Sequence, residues 1–223
     1  MRSALYSLSS RHIWLSPRAL NFASRKESLI QGVVFLDLDG TLWPDNGPGG
    51  ILEIPNFSTF LDANYSILGN DCGKRKIVFV TNQTLFARSR THSLNRLLTY
   101  TLRIIQLMTF FRSIAFLVCH HHPSAKNSRL RRACVYRKPS SLPLDRLYSF
   151  FPYSKKKSIL VGDRITDVLS GELSQIGKSI LIYNAKMFEL NDSVHNLEGS
   201  YSFFSVIPNF DLITLEKIRS SDV

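Results

Sequence analysis

Residues 33–43 read VVFLDLDGTLW. Val33, Val34, Phe35 and Leu36 make an unbroken apolar run, the pattern of a strand buried on both faces, and Asp37, Asp39 and Gly40 stop it abruptly. Two aspartates at the end of a buried strand carry a desolvation cost that something must offset. Four further runs share the strand pattern: Ile77 to Thr81, Ile114 to Val118, Ser158 to Val161, and Ser179 to Tyr183.

Helical periodicity fills the intervals. Pro55, Phe57, Phe60, Leu61, Tyr65 and Leu68 fit a first helix. Leu94, Leu97, Leu98, Ile105, Met108 and Phe111 fit a second, with Thr91 as candidate N-cap. Ser141 and Pro143 open a third that runs through Leu144, Leu147, Phe150 and Phe151, and Ile165 to Ile176 forms a fourth ending at Gly177. Strand alternating with helix predicts an α/β, three-layer, Rossmann-like fold: a parallel central sheet covered on both faces. Ligands in such sheets bind beyond the carboxyl ends of the strands, where Asp37, Thr81 and Asp163 fall. One domain is expected over residues 32–205, with no insertion large enough for a cap domain, and 206–223 form an extension of unknown role. The stretch NLEGSYSFFSVIPNF is compatible with a closing strand, a packed extension or a partner surface.

Charge is uneven along the chain. Net charge is +11, and the first 26 residues hold Arg2, Arg11, Arg18, Arg25 and Lys26 among serines and leucines, with no acid. That is the composition of a mitochondrial presequence, expected to be disordered and to direct the chain to the matrix; the alternative is a basic leader on a cytoplasmic protein. Between Asp71 and Asp145 there is no acidic residue, while fourteen lysines and arginines create a field that attracts anions. Three cysteines, Cys72, Cys119 and Cys134, are too few for a disulfide scaffold. The greasiest long window, Leu97 to Val118, contains Arg103 and Arg112, which argues against a bilayer span. A monomer is expected.

Carboxylates gathered at strand ends repel one another unless a cation neutralises them. Mg²⁺, a hard ion with oxygen ligands, suits Asp37, the backbone carbonyl of Asp39, and Asp163. The two acids of DLD then take different work: Asp37 as nucleophile toward phosphorus, Asp39 as general acid and base.

The segments DLDGTL, VTNQ, YRKP and GDRITD, in this order and spacing, resemble the four motifs of the haloacid dehalogenase (HAD)-like phosphatase superfamily across residues 33 to about 185. The resemblance implies Mg²⁺-dependent phosphoryl transfer: catalytic Asp37, Asp39 and Lys138, phosphate held by Thr81 and Asn82, metal held by Asp37, Asp39 and Asp163, and Asp167 in the metal's outer sphere. NQTLFARS, SIAFLVCHHHP and CVYRKP further resemble the capless heptose bisphosphate and histidinol-phosphate phosphatases. In those proteins a loop beside the site holds structural zinc, and Cys119, His121 and Cys134 match three ligands while Tyr136 stands at the fourth position. Three ligands give a weak or open site. Either His120 or His122 substitutes, or the loop is held by packing without Zn²⁺.

Arg129, Arg131, Arg132 and Arg137 are candidates to grip a second anionic group, with Arg137, beside Lys138, the first choice. The expectation is a phosphomonoester hydrolase acting through an aspartyl-phosphate on a sugar phosphate or another small phosphorylated metabolite. The alternatives are a phosphatase of nucleic-acid 3′-phosphate ends, one of a phospholipid head group such as phosphatidylglycerophosphate, or a non-catalytic module that binds nucleic acid or anionic lipid.

Overall fold

The computed structural model describes residues 6–7, 12–17, 19, 31–42, 50–53, 57, 75–88, 94–183 and 204–208. Its strands are β1 (Tyr6–Ser7), β2 (Ile13–Leu15), β3 (Val33–Leu36), β4 (Lys76–Thr81), β5 (Ala115–Val118), β6 (Ile159–Gly162), β7 (Lys178–Tyr183) and β8 (Phe204–Pro208). They form one sheet in the order β1-β2-β5-β4-β3-β6-β7-β8. The six strands from β5 to β8 run parallel, and β2 adds to β5 antiparallel, followed by β1. The helices are α1 (Leu94–Phe110), α2 (Leu142–Phe150) and α3 (Ile165–Leu173).

Successive side chains of a strand point to opposite faces, and β3 shows what this does here. Val34 and Leu36 pack with Ile104, Leu107 and Met108 of α1, whereas Val33 and Phe35 pack with Leu144 and Leu147 of α2. α3 meets the sheet through Val168 against Leu181, on the face away from Ile180 and Ile182. This is the three-layer α/β fold, with two cores separated by the sheet.

The five predicted strands lie within a residue of those observed. Several other expectations need correction. In α1 the buried stripe is Tyr100, Ile104, Leu107 and Met108, while Leu94, Leu97, Leu98 and Leu102 are exposed. Leu97 falls on the same face as Ile104, seven residues on, so the first turns of the helix overhang the core. α3 ends at Leu173 rather than near Gly177, because Gln175 takes the left-handed conformation (φ 58°). Gly177 serves a different need: a Cβ there would run into the carbonyl of Lys156. The first predicted helix and Thr91 lie outside the described residues, apart from Phe57, which is buried. Most of the chain between Leu42 and Arg75, where a cap would be inserted, is likewise outside them.

The largest correction concerns the N-terminus. Disorder over residues 1–26 does not hold for the described part of that stretch, since Tyr6–Ser7 pairs with β2, and Ile13, Leu15 and Ala19 belong to the core that α2 covers. The alternation in Ile13-Trp14-Leu15 points two aliphatic side chains inward, and the open edge of β5 supplies the hydrogen-bonding groups. At the other end β8 crosses the boundary expected at residue 205 and pairs with β7 from Ser179↔Phe204 to Tyr183↔Pro208, so the closing-strand alternative is the observed one. No helix among the described residues is long and apolar enough to cross a membrane.

Because Leu15 is fully buried, Leu15→Ala is expected to destabilise the protein by about 2–5 kcal/mol. Urea denaturation of the full-length variant reads this as a lowered midpoint at unchanged slope; an unchanged midpoint would mean the N-terminal strand contributes nothing to the fold.

Candidate active site

β3 lies between β4 and β6, with Leu36 opposite Phe79 on one side and Val161 on the other. The residues just past these three strand ends therefore meet. Asp37 continues the ladder by donating its N–H to the carbonyl of Val161 at 2.9 Å, so its buried carboxylate is fixed by the sheet itself. Asp163 follows β6, and Asp167 reaches the same place from the first turn of α3, where its carboxylate also accepts from the Arg164 N–H at 3.1 Å.

Lys138 arrives from the loop between β5 and α2 and is buried. Its ammonium donates to Asp37 Oδ1 at 2.8 Å, to the carbonyl of Val80 at 3.0 Å, and to Asp167 Oδ1. Three N–H groups thus meet three oxygens. Burial opposes the charge on Lys138, but Asp167 and Asp37 outweigh it and hold its pKa above the ordinary value.

One ammonium is not enough for this many carboxylates. Burial, with Asp37 and Asp167 beside it, pushes the Asp163 carboxyl up to about 8. Burial also raises Asp167 to about 6, against the pull of Lys138. Oxygens of Asp37, Asp163 and Asp167 lie within 4.8 Å of one another, and Asp163 Oδ1 is buried with no hydrogen-bond partner among the described residues. A hard, oxygen-only set with an unsatisfied buried oxygen fits Mg²⁺.

The loop after β3 is shaped by Gly40, whose φ is 81° and where a Cβ would run into the Asp163 carboxylate. Asp39 lies outside the acidic cluster. Its Oδ2 accepts from Gln83 Nε2 at 2.7 Å, and the same amide donates to Thr81 Oγ1 at 3.1 Å. Thr81 therefore keeps its hydroxyl proton for another acceptor. The Asn82 side chain clamps the Lys138 backbone, accepting from its N–H at 3.0 Å and donating to its carbonyl at 3.1 Å. Its carboxamide thus positions Lys138, and the residue also lines the cleft.

These groups open onto a cleft of about 1110 Å³, whose basic lining comprises Arg88, Lys126, Arg137 and Arg164 beside Lys138. Of the four loop arginines expected to grip a second anion, only Arg137 lines the cleft. Arg131 donates instead to the carbonyl of Ala125 at 2.6 Å, Arg132 approaches His121, and Arg129 is exposed away from the cleft. Gln83, Arg88 and Arg164 went unassigned in sequence; Gln83 stood inside the quoted VTNQ segment and was the most accessible of them.

Cys119, His121 and Cys134 do come together beside the cleft, joined by His12. His120 and His122 are not in this cluster: the His120 ring packs against Phe86 and Tyr100, and burial lowers its pKa to about 4, while His122 lines the cleft. Tyr136 stacks on His12 at 4.6 Å.

No family model matches the chain. Among curated proteins it is similar to D-glycero-β-D-manno-heptose-1,7-bisphosphate 7-phosphatase of Escherichia coli K12, 27% identical over 162 residues that cover 69% of this chain and 80% of that protein. The enzyme of the same name from Photorhabdus laumondii is 26% identical over 167 residues, covering 71% and 85%. Among solved structures, a Mesorhizobium loti protein assigned to the HAD-like phosphatases superposes with a TM-score of 0.61 at 19% identity, over 96% of this chain and 94% of that one. The D,D-heptose 1,7-bisphosphate phosphatase of Bordetella bronchiseptica, complexed with magnesium and phosphate, gives 0.57 at 15% identity, over 86% and 100%. The chain is thus similar in sequence to the heptose bisphosphate phosphatases and shares the fold of the HAD-like structures.

The raised carboxyl groups predict an unusual pH response. With folded-state pKa values of about 8 and about 6, the native metal-free protein holds more protons than the unfolded chain between about pH 4 and pH 8. Stability therefore falls as pH rises through that window. Mg²⁺ relieves the repulsion, so its stabilisation should be larger at pH 8 than at pH 5.5, reaching about 2.7 kcal/mol at a hundredfold excess over Kd. Thermal melts with Mg²⁺ and with a chelator at the two pH values measure both effects; a Mg²⁺ shift independent of pH would contradict the assigned cluster.

Proposed function

We propose that this chain is a Mg²⁺-dependent phosphomonoesterase that works through an aspartyl-phosphate on Asp37 and acts on a sugar phosphate or a comparably small phosphorylated metabolite. The observation that carries the reading is the Lys138 ammonium bridging Asp37 and Asp167 at the floor of the cleft. Lys138 pairs with Asp37 and places positive charge where the equatorial oxygens of the transferring phosphoryl group gather it. The Asp37 carboxylate attacks phosphorus as the bond to the leaving oxygen breaks, and Asp39 gives that oxygen a proton. Asp39 then takes a proton from water, whose oxygen displaces Asp37 and releases phosphate. Gln83 holds the Asp39 carboxylate for both transfers. When bound by Asp37 and Asp163, with Asp167 alongside, Mg²⁺ supplies charge neutralisation for the phosphate oxygens.

The curated relatives are named for a sugar bisphosphate. A cleft lined by Arg88, Lys126, Arg137 and Arg164 suits a substrate with a second anionic group. The mitochondrial address is retained as a proposal, with Tyr6–Ser7, His12, Ile13, Leu15 and Ala19 belonging to the fold.

Purified protein with Mg²⁺ is expected to hydrolyse members of a panel of sugar mono- and bisphosphates, nucleotides, 3′-phosphorylated DNA ends and lipid phosphates, and to lose that activity on chelation. Asp37→Asn should lower kcat on the order of 10³-fold or more. No hydrolysis anywhere in the panel would overturn the reading, and turnover of only nucleic-acid or lipid arms would replace the substrate class. Lys126→Ala should raise KM about tenfold for a bisphosphate while leaving the matching monophosphate nearly unchanged.

A further inference from the structure

The cluster of His12, Cys119, His121 and Cys134 joins the residue just ahead of β2, the residue just past β5 and two residues of the loop that follows. We infer that these four side chains form a tetrahedral zinc site in which His12, supplied by the N-terminal strand, is the closing ligand. The inference stands on the fold and does not depend on the phosphatase reading.

Sheet register explains the encounter. Ile13 pairs with Leu117, which sets His12 across from Val118, and the Val118 N–H donates to the His12 carbonyl at 2.8 Å. Cys119 is the next residue, so one antiparallel pairing brings an imidazole to a thiol 107 positions away in sequence. His12 Nδ1–H donates to the Val118 carbonyl at 2.9 Å. That bond fixes the tautomer and leaves the lone pair on Nε2, which lies 3.8 Å from Cys134 Sγ. Tyr136, at the position of the fourth ligand in the resembled phosphatases, stacks nearly parallel on the His12 ring, with 12° between the planes, and holds its orientation.

Dimensions and chemistry select the ion. Zn–S bonds of about 2.3 Å and Zn–N bonds of about 2.0–2.1 Å give tetrahedral edges of roughly 3.3–3.8 Å. The four ligand atoms are within 4.8 Å of one another, so contraction by about 1 Å closes the site. Two thiols and two imidazoles are borderline-soft donors that suit Zn²⁺ and not Mg²⁺, the reverse of the aspartate cluster. Zn²⁺ balances two thiolates, and loading claims the His121 lone pair that Arg132 Nη2 approaches at 2.6 Å, so that arginine is displaced.

The site would act as a clamp. Arg137 donates its N–H to the carbonyl of Cys134 at 3.0 Å, and Lys138 follows it, so the metal pins the segment that delivers the catalytic ammonium and ties it to β2. A chain cleaved after residue 26 would lack the fourth ligand.

Full-length protein purified without chelator is expected to contain about one zinc per chain by elemental analysis. X-ray absorption at the zinc edge should count two sulfurs and two imidazoles. Replacement by Co²⁺ should give the intense visible bands of a tetrahedral site with thiolate charge transfer. His12→Gln should weaken zinc binding more than about 100-fold in competition with a chromophoric chelator, beyond the loss usual for an outer partner, whereas His12→Cys should largely restore it. Zinc-free protein that takes up none on addition, a Cys119–Cys134 disulfide in its place, or a site with one imidazole would each overturn the inference. The absorption measurement needs only the unmodified chain, so it decides the matter even where His12→Gln does not fold.

Discussion

The structure depends on the ion pairs between the Lys138 ammonium and the carboxylates of Asp37 and Asp167. Removing these groups from water is costly, and the arrangement is tolerable because each N–H of the ammonium meets an oxygen in good reach. The balance is incomplete in one respect: Asp163 adds a further carboxylate whose ion pair with the exposed Arg164 is long, Nε standing 3.9 Å away. A divalent ion there would relieve the repulsion among the three carboxylates.

Parallel strands make such a concentration of charge possible. Each ends on the same side of the sheet, so β3, β4 and β6 deliver Asp37, Thr81 and Asp163 to one place without any loop having to find it. The loops then refine the geometry. Asn82 grips the Lys138 peptide from both sides, Gln83 spans Thr81 and Asp39, and Gly40 lets the chain pass close over Asp163. None of these three groups needs to touch a reacting atom to matter. They hold the charged groups at fixed separations, which is where electrostatic stabilisation originates.

Two donor sets of opposite character sit within one small domain. The oxygen cluster is built at strand ends and faces the cleft; the sulfur and nitrogen cluster is built where the antiparallel strand β2 meets the end of β5. Cys134 belongs to the second set and also lines the cleft, so the two are joined through the short segment that carries Arg137 and Lys138. An N-terminal segment that looks like a disposable leader by composition is by position part of this framework.

The central strands were legible because periodicity and burial are local properties: VVFL, IVFVT and ILVG read as buried strands whatever surrounds them. Asp37, Thr81 and Asp163 could be placed at strand ends by the same reading, whereas Lys138 was marked out by the resemblance of the four motifs taken together. Tertiary structure alone decided the rest. Whether Arg131 faces the cleft depends on the Ala125 carbonyl, and Asn82 serves the backbone of a residue 56 positions away. Asp167 enters the acidic cluster because α3 starts immediately after β6, and His12 reaches Cys134 because β2 pairs with β5 in one register and not another. Composition and spacing carry no information about register between distant segments, because that is set by which edges and apolar faces remain uncovered once the central sheet has formed.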